Sequence, residues 1–526
     1  MSRVARRLLG WMLGVRPGLR RMLDWLDRLE ASGTPVQATA RKRSVTVPQW
    51  VLIVVAWCTL AVVYFVTQPP VETPSPHVHL SMKGAAFAVF LWVSWAAIRP
   101  VVVRLRTDVP GDTHRRSVVL FWSLALLALA AVLLVRYSGM RVGDADLAGN
   151  VYVLPLAGFA LLAVLLMSNA WAILFGMMVA VLATGVYGWS FEHFTYFLIS
   201  VLGVVPWGSR IYTRRDLMPV VLRSAAFNTV VGAATLVLVD RSAAFGAEPL
   251  GDFAMNVLLR QVAFGCVVGG VFNWVVVMVF LTPFENLFQR TTAIKLVELA
   301  DFNHPLLTRL VAEAPGTYHH SLIVASLAER AAAEIGGRGL LCKVAGYYHD
   351  VGKLIRPEYF IENQIATTNP HDDLNPSLSA QVIINHVRDG VALAEQHGLD
   401  RPIVDIIRQH HGNSLIHGLY GKSLEPGTPA VVDNIRYPGP RPQTREAAVV
   451  MIADSCEAAC RAAGEPDVAR IKETVERVIN AKFTDGQFDD TRLTLRDLYR
   501  ISGILTQMLA SVYHVRAAAA AAADRT

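Results

Sequence analysis

Apolar residues along this chain follow two regimes. Up to about residue 283 they form long runs, near 47–67, 84–103, 117–136, 151–168, 170–189, 193–209, 217–239 and 257–282. Most of these approach the roughly 20 residues that a helix needs to cross a bilayer, so they predict about eight transmembrane helices. The run at 193–209 is the weakest, and very short loops separate the three runs between 151 and 209. From Phe284 the pattern turns amphipathic, with apolar positions at helical spacing broken by Pro and Gly. It predicts helices over 292–300, 305–313, 318–335, 339–351, 377–397, 402–411, 444–462, 465–482 and 494–514. Alternating strand patterns are scarce. The expected fold class is all-α: a polytopic transmembrane helical bundle over 47–283, then a cytosolic all-helical domain over 284–515, about 230 residues long.

The two ends differ from both regimes. Residues 1–46 carry ten Lys/Arg against three acids, interleaved with Leu and Trp, and read as a basic amphipathic segment lying on the inner membrane surface. The Ala-rich residues 516–526 read as a disordered tail. The last long run, TLRDLYRISGILTQMLASVYHV, has an apolar stripe that could pack on its own domain or pair two copies as a homodimer, packing being the simpler reading.

Composition and charge sharpen this picture. Apolar residues make up 53% of the 526, and the mean hydropathy is +0.38. Before Phe284 there are 24 Lys/Arg against 13 Asp/Glu, and from it onward 25 against 29. The excess of base therefore flanks hydrophobic spans instead of coating a soluble face, which argues against a nucleic-acid polymer as partner. Loops 104–116 and 209–216 are Arg-rich, whereas 68–83 and 241–256 hold one Lys or Arg each. With the basic N-terminus inside, eight crossings put both Arg-rich loops and the C-terminal half in the cytoplasm. The expected location is thus the inner (cytoplasmic) membrane, multi-pass. The five cysteines are scattered, which implies neither a disulfide framework nor a zinc knuckle.

Candidate chemistry is concentrated from residue 304 onward, where eleven of the fifteen histidines lie. His320 opens HSLIVASLAE, His349 and Asp350 end LLCKVAGYY, and His386 sits in SAQVIINHV. His410 and His411 end IVDIIRQHH, and Asp454 interrupts AVVMIAD. Each is a metal-binding side chain at the polar break of an apolar helix face, where an unsatisfied polar group is costly. Imidazoles and carboxylates converging inside a helical bundle can hold two divalent ions, and such nitrogen and oxygen ligands suit Mn²⁺ or Fe²⁺ better than a thiolate zinc site.

The order H…HD…H…HH…D resembles the HD-domain metallophosphohydrolases. The strings LVELADFNHPLLTRLVAEAPGTYHHS, HDVGKLIRPEYFIENQ, NPHDDLNPSLSAQVIINHVRDGV, QHHGNSL and IRYPGPRPQTREAAVVMIADSCEAA narrow the resemblance. They are similar to the seven-transmembrane HD family of membrane-anchored cyclic di-AMP phosphodiesterases, the PgpH type. Family members usually carry an extensive extracellular domain between the first span and the next seven, where this chain has only residues 68–83.

The resemblance implies a ligand set: His320, His349, Asp350 and Asp454 around one ion, and His386, His410 and His411 around the other, with Asp350 bridging. His319 is rejected, because a neighbouring helical side chain points about 100° away. The implied reaction opens one 3′,5′ linkage of cyclic di-AMP by hydroxide formed at two metal ions, giving linear pApA. Asp350 and Lys353 are then the catalytic candidates, and Lys353 also contacts phosphate. Asn363, Gln364, Arg436 and Tyr437 are candidates for substrate binding, with structural roles as the alternative. The competing readings are a phosphodiesterase for cyclic di-GMP and a nucleotide-binding membrane receptor without turnover. The double histidine here continues as HHGNSLIHGLYGK, not toward the GYP string of enzymes that cut the guanine ring.

Overall fold

Which spans need to be long depends on how much lipid each one meets. The computed structural model describes residues 111–523 except 139–140, 143–144, 147–149, 189, 240–261, 365–368, 417–434 and 465–466. All of them belong to one unit, Leu60–Thr526. The expected amphipathic segment 1–46 and the spans at 47–67 and 84–103 lie outside the described residues. Six membrane-bundle helices are described: α1 (Gly111–Tyr137), α2 (Leu156–Leu166), α3 (Asn169–Val186), α4 (Phe191–Gly208), α5 (Leu217–Val239) and α6 (Phe264–Phe288). A two-stranded antiparallel ladder, β1 (Arg141–Val142) with β2 (Ala145–Asp146), follows α1. No alternating pattern predicts it, and among the described residues the fold is otherwise helical.

Four described segments are long and apolar enough to cross a membrane: Arg116–Tyr137, Asn169–Val186, Arg214–Thr235 and Phe264–Phe288. The chain is a membrane protein. The runs at 151–168 and 193–209 are not among the four, yet they form helices α2 and α4 of the bundle. Nearly every side chain of α2 is buried, so it faces protein and needs neither the length nor the lipid-facing surface of an outer helix. Helix α4 carries Glu192, His193 and an internal Pro206. Asn273 is satisfied within the bundle: its buried Oδ1 accepts a hydrogen bond from the Gly158 N–H at 2.6 Å.

The bundle has a distinct end facing the C-terminal domain. There the loop after α4 reaches out, with Arg214 Nε 2.7 Å from Glu298 Oε1, and α1 begins, with Arg116 bonded to Gln289 and Ser117 to Arg290. The described parts of both Arg-rich loops therefore lie at the end where the C-terminal domain is attached. Tyr152 lies instead against Gly232 of α5 and Gly265 of α6.

Helix α6 ends at Phe288, and Gln289 closes it in the left-handed region at φ 50°. Four residues later the C-terminal domain begins with α7 (Ala293–Leu299), followed by α8 (Pro305–Glu313), α9 (Pro315–Glu334), α10 (Gly339–Tyr348), α11 (Pro376–Gln396), α12 (Arg401–Gln409), α13 (Arg445–Ala462), α14 (Val468–Thr484) and α15 (Leu495–Ala523). These are the nine helices the sequence predicts. Their starts are chemically marked. Pro stands in the first turn of α8, α9, α11 and α12, where no N–H is needed. Asn375, Thr444 and Asp467 accept hydrogen bonds from N–H groups in the first turns of α11, α13 and α14.

The domain core gathers around α9, α10 and α13, with Val324, Ala328, Val344, Val449, Met451 and Ile452 fully buried. Gly346 lets α10 approach α9, since a Cβ there would lie 2.6 Å from the Ala325 Cα. The stripe Ile501, Leu505 and Leu509 of α15 joins this core, so the face on which two copies could have paired is spent on packing. The helix continues to Ala523, which corrects the expectation of a disordered tail from 516. Alanine has the highest helix propensity, and a run of it prolongs a helix already started.

Candidate metal centre

Five separate elements deliver the metal-binding side chains to one place. His320 lies in α9 and is buried; His349 caps the C-terminus of α10, where the helix gives way to a 3-10 turn over Val351–Ile355. That break turns Asp350 inward. His386 comes from the middle of α11, His410 caps α12 with His411 next to it, and Asp454 sits in α13 among fully buried apolar neighbours. Gly352 sets the distance between two of these elements: a Cβ there would fall 1.9 Å from the His386 carbonyl oxygen. Only glycine allows the HDVGK segment to press against α11.

The seven side chains form two groups whose candidate ligand atoms all lie within 4.8 Å of one another. One is His320, His349, Asp350 and Asp454; the other is Asp350, His386, His410 and His411. Asp350 belongs to both. Its Oδ2 lies 3.3 Å from His349 Nε2 and its Oδ1 3.3 Å from His386 Nε2. In the first group, His320 Nε2 is 3.0 Å from Asp454 Oδ1. In the second, the Nε2 atoms of His386 and His410 are 3.3 Å apart.

Ring orientation is fixed from behind. His349 and His410 place Nδ1 2.8 and 2.6 Å from the carbonyls of Gly346 and Ile407, and His386 does the same with Ile383. With Nδ1–H donating to a carbonyl, each Nε2 lone pair is turned toward the cluster. Yet His349 Nε2 and Asp350 Oδ1 are buried without a hydrogen-bond partner, and buried polar atoms of this kind demand a partner. The donor set of imidazole nitrogens and carboxylate oxygens, with orphaned atoms aimed into the cluster, fits two divalent cations.

The charges agree. Burial would raise the Asp350 carboxyl, but the Lys353 ammonium and the His349 ring hold it well below the usual carboxylate range. Burial likewise pushes the His349 imidazole down, and the Asp350 and Asp454 carboxylates outweigh it and lift it to about 10. The cluster thus favours positive charge at its centre.

The other expected site residues divide. Lys353 is buried between two acids, its Nζ 2.7 Å from Asp350 Oδ2 and 2.6 Å from Glu362 Oε1, so it is not a solvent-facing cation. Asn363 donates to Thr317 Oγ1 and the Pro357 carbonyl, and its Oδ1 accepts from the Thr317 N–H. Both N–H donors of Gln364 go to the Glu358 carbonyl and Asn369. These two amides tie the 357–364 segment together and to α9, the structural role that the sequence left as the alternative to reading a base edge.

Tyr437 is 9% exposed and stacks on His411 at 4.3 Å between centroids. Its ring packs on the cluster, the structural alternative to binding substrate. Arg436 bonds the Asn413 carbonyl at 2.9 Å and lies 3.4 Å from Asp485. It borders a cleft of about 690 Å³ shared with Ser414, Ser455, Lys482 and Asp485. His319 is exposed, away from the cluster. Sequence reasoning missed Glu457, a buried acid three residues after Asp454 on the same helix face, which meets His320 Nδ1 at 2.5 Å.

Fold and site together define a polytopic membrane protein whose helical C-terminal domain carries an HD-type ligand cluster. Two family models match: "7TM receptor with intracellular HD hydrolase" over residues 79–292 and "HD domain" over residues 317–459. The chain thus joins a seven-transmembrane region to an HD domain, the arrangement of PgpH-type proteins. Among curated relatives it is similar to the cyclic-di-AMP phosphodiesterase PgpH of Bacillus subtilis, 38% identical over 69% of this chain and 51% of that protein. The PgpH of Listeria monocytogenes is 32% identical over 82% of this chain and 58% of its own length. The chain thus spans between half and three-fifths of these relatives. A crystal structure of the L. monocytogenes PgpH HD domain with cyclic-di-AMP is 43% identical and covers 40% of this chain and all of its own, with a TM-score of 0.40.

Proposed function

We propose that the chain is a membrane-anchored, metal-dependent phosphodiesterase that opens cyclic di-AMP to linear pApA, with its catalytic domain in the cytoplasm. The observation that carries this reading is the pair of ligand groups joined through Asp350. It is supported by the named activity of the two PgpH relatives. The side of the membrane follows from the Arg-rich segments at the attached end of the bundle, since short basic loops stay inside.

Two divalent ions, Mn²⁺ or Fe²⁺, held by His320, His349, Asp350 and Asp454 and by Asp350, His386, His410 and His411, would supply Lewis-acid charge for the phosphodiester and an activated water. The chain's own groups do the rest. Carbonyl-bonded imidazoles keep their lone pairs on the cluster, and Lys353 holds Asp350 ionised. His411 and Asp454, at 21% and 10% side-chain exposure, are the most open of the seven, so substrate enters on their side. There the cleft of about 690 Å³ is roomy enough for a nucleotide, and Arg436 and Lys482 offer cations to its phosphates.

The test is turnover by the full chain in detergent with Mn²⁺, given cyclic di-AMP or cyclic di-GMP, with Asp350→Ala as control. Conversion of the adenine ring to pApA is expected. No turnover of either ring with two ions bound would reject the enzyme reading, and preference for the guanine ring would reject the substrate.

A further inference from the structure

Three of the four imidazoles that arise within or at the ends of helices are backed by a main-chain carbonyl three residues earlier. His320 is the exception. Its Nδ1 meets the carboxylate of Glu457, which is 1% exposed, and whose other close charged neighbour is Arg461, Nε to Oε2 3.6 Å. With Nδ1–H donated to Glu457, His320 presents an Nε2 lone pair 3.0 Å from Asp454 Oδ1. Two acceptors at that separation repel unless a proton or a metal cation lies between them, and an ion bound there takes the proton's place. A carboxylate behind a ligating imidazole raises its basicity more than a neutral carbonyl does. The group containing His320 also holds two carboxylates of its own, Asp350 and Asp454, whereas the other holds Asp350 and three imidazoles.

We propose that Glu457 is a positioning residue that orients and charges His320, making the His320–His349–Asp350–Asp454 group the tighter of two unequal ion sites. This rests on the two-ion reading above. The experiment is titration of the metal-stripped full chain in detergent with Mn²⁺, following free Mn²⁺ by electron paramagnetic resonance. Wild type should fill two sites in two steps. Glu457→Gln preserves the shape and an acceptor for Nδ1–H but removes the charge. It should weaken the tighter step roughly 10–100-fold and leave the weaker one unchanged, with the metal-free unfolding temperature kept. Arg461→Gln should shift the tighter step the opposite way, because it removes the cation that competes for the Glu457 carboxylate, and it provides the test should Glu457→Gln fold poorly. Equal weakening of both steps in Glu457→Gln, or no change in either variant while wild type binds two ions, would overturn the proposal. Wild type binding no Mn²⁺ would instead overturn the two-ion reading itself.

Discussion

Of the seven ligand candidates Asp350 alone belongs to both groups, so its loss should be felt twice. Asp350→Ala is expected to lower the retention of both ions by more than about 100-fold, beyond what an outer partner costs, as read by metal analysis. Lys353 raises a different expectation. Replacing it by Met leaves Asp350 and Glu362 facing each other without their shared cation. Breaking such a buried pair costs about 3–5 kcal/mol, seen as a lower unfolding temperature, and the loss should shrink when ions supply the missing charge.

Protons and ions compete for the same atoms. The Asp350 and Asp454 carboxylates lift the ion-free His349 imidazole to about 10, above its ordinary value, so at neutral pH an ion must displace its proton. Apparent Mn²⁺ affinity should therefore rise with pH between about 6 and 9, with proton release measurable by calorimetry in buffers of different ionisation heat. Affinity independent of pH would contradict this. The ligand residues were legible in the sequence because each interrupts an apolar helix run. Glu457 was not, since an acid in a helix is ordinary and its partner His320 is 137 positions away. For Asn363 and Tyr437 the sequence left binding and structural roles open, because it does not reveal which neighbours surround a polar or aromatic group.

At the scale of elements, the contact between the turn at Val351–Ile355 and α11 has no slack. Gly352→Ala should destabilise the domain by about 1–3 kcal/mol through overpacking, and should loosen ions at the His386 group by displacing α11. Thermal unfolding and metal content measure the two effects separately. The helices of the C-terminal domain were legible because apolar periodicity and their Pro, Asn, Thr and Asp starts agree. Helix α2 reveals its short length only through burial on all sides, which tertiary packing decides. The fate of the terminal Ala run depended on α15 being anchored upstream by Ile501, Leu505 and Leu509, a contact no local pattern records.

For the whole molecule, orientation in the membrane is the testable quantity. Arg210 is exposed in the loop that reaches toward α7. A thiol introduced by Arg210→Cys should react with a membrane-impermeant reagent in inside-out vesicles and not in intact cells. Labelling from outside the cell would place the catalytic domain on the wrong side for a cytosolic nucleotide. The ion pair between Arg214 and Glu298 is partly exposed, at 42% and 49%, so breaking it should change stability by less than about 1 kcal/mol.

Between the last membrane helix and the first helix of the catalytic half stand only residues 289–292. Even drawn out straight, four residues span about 14 Å. The C-terminal half therefore cannot roam on a leash; it is berthed beside the bundle's end, and under the proposed function a soluble dinucleotide would have to come to the bilayer to be cut.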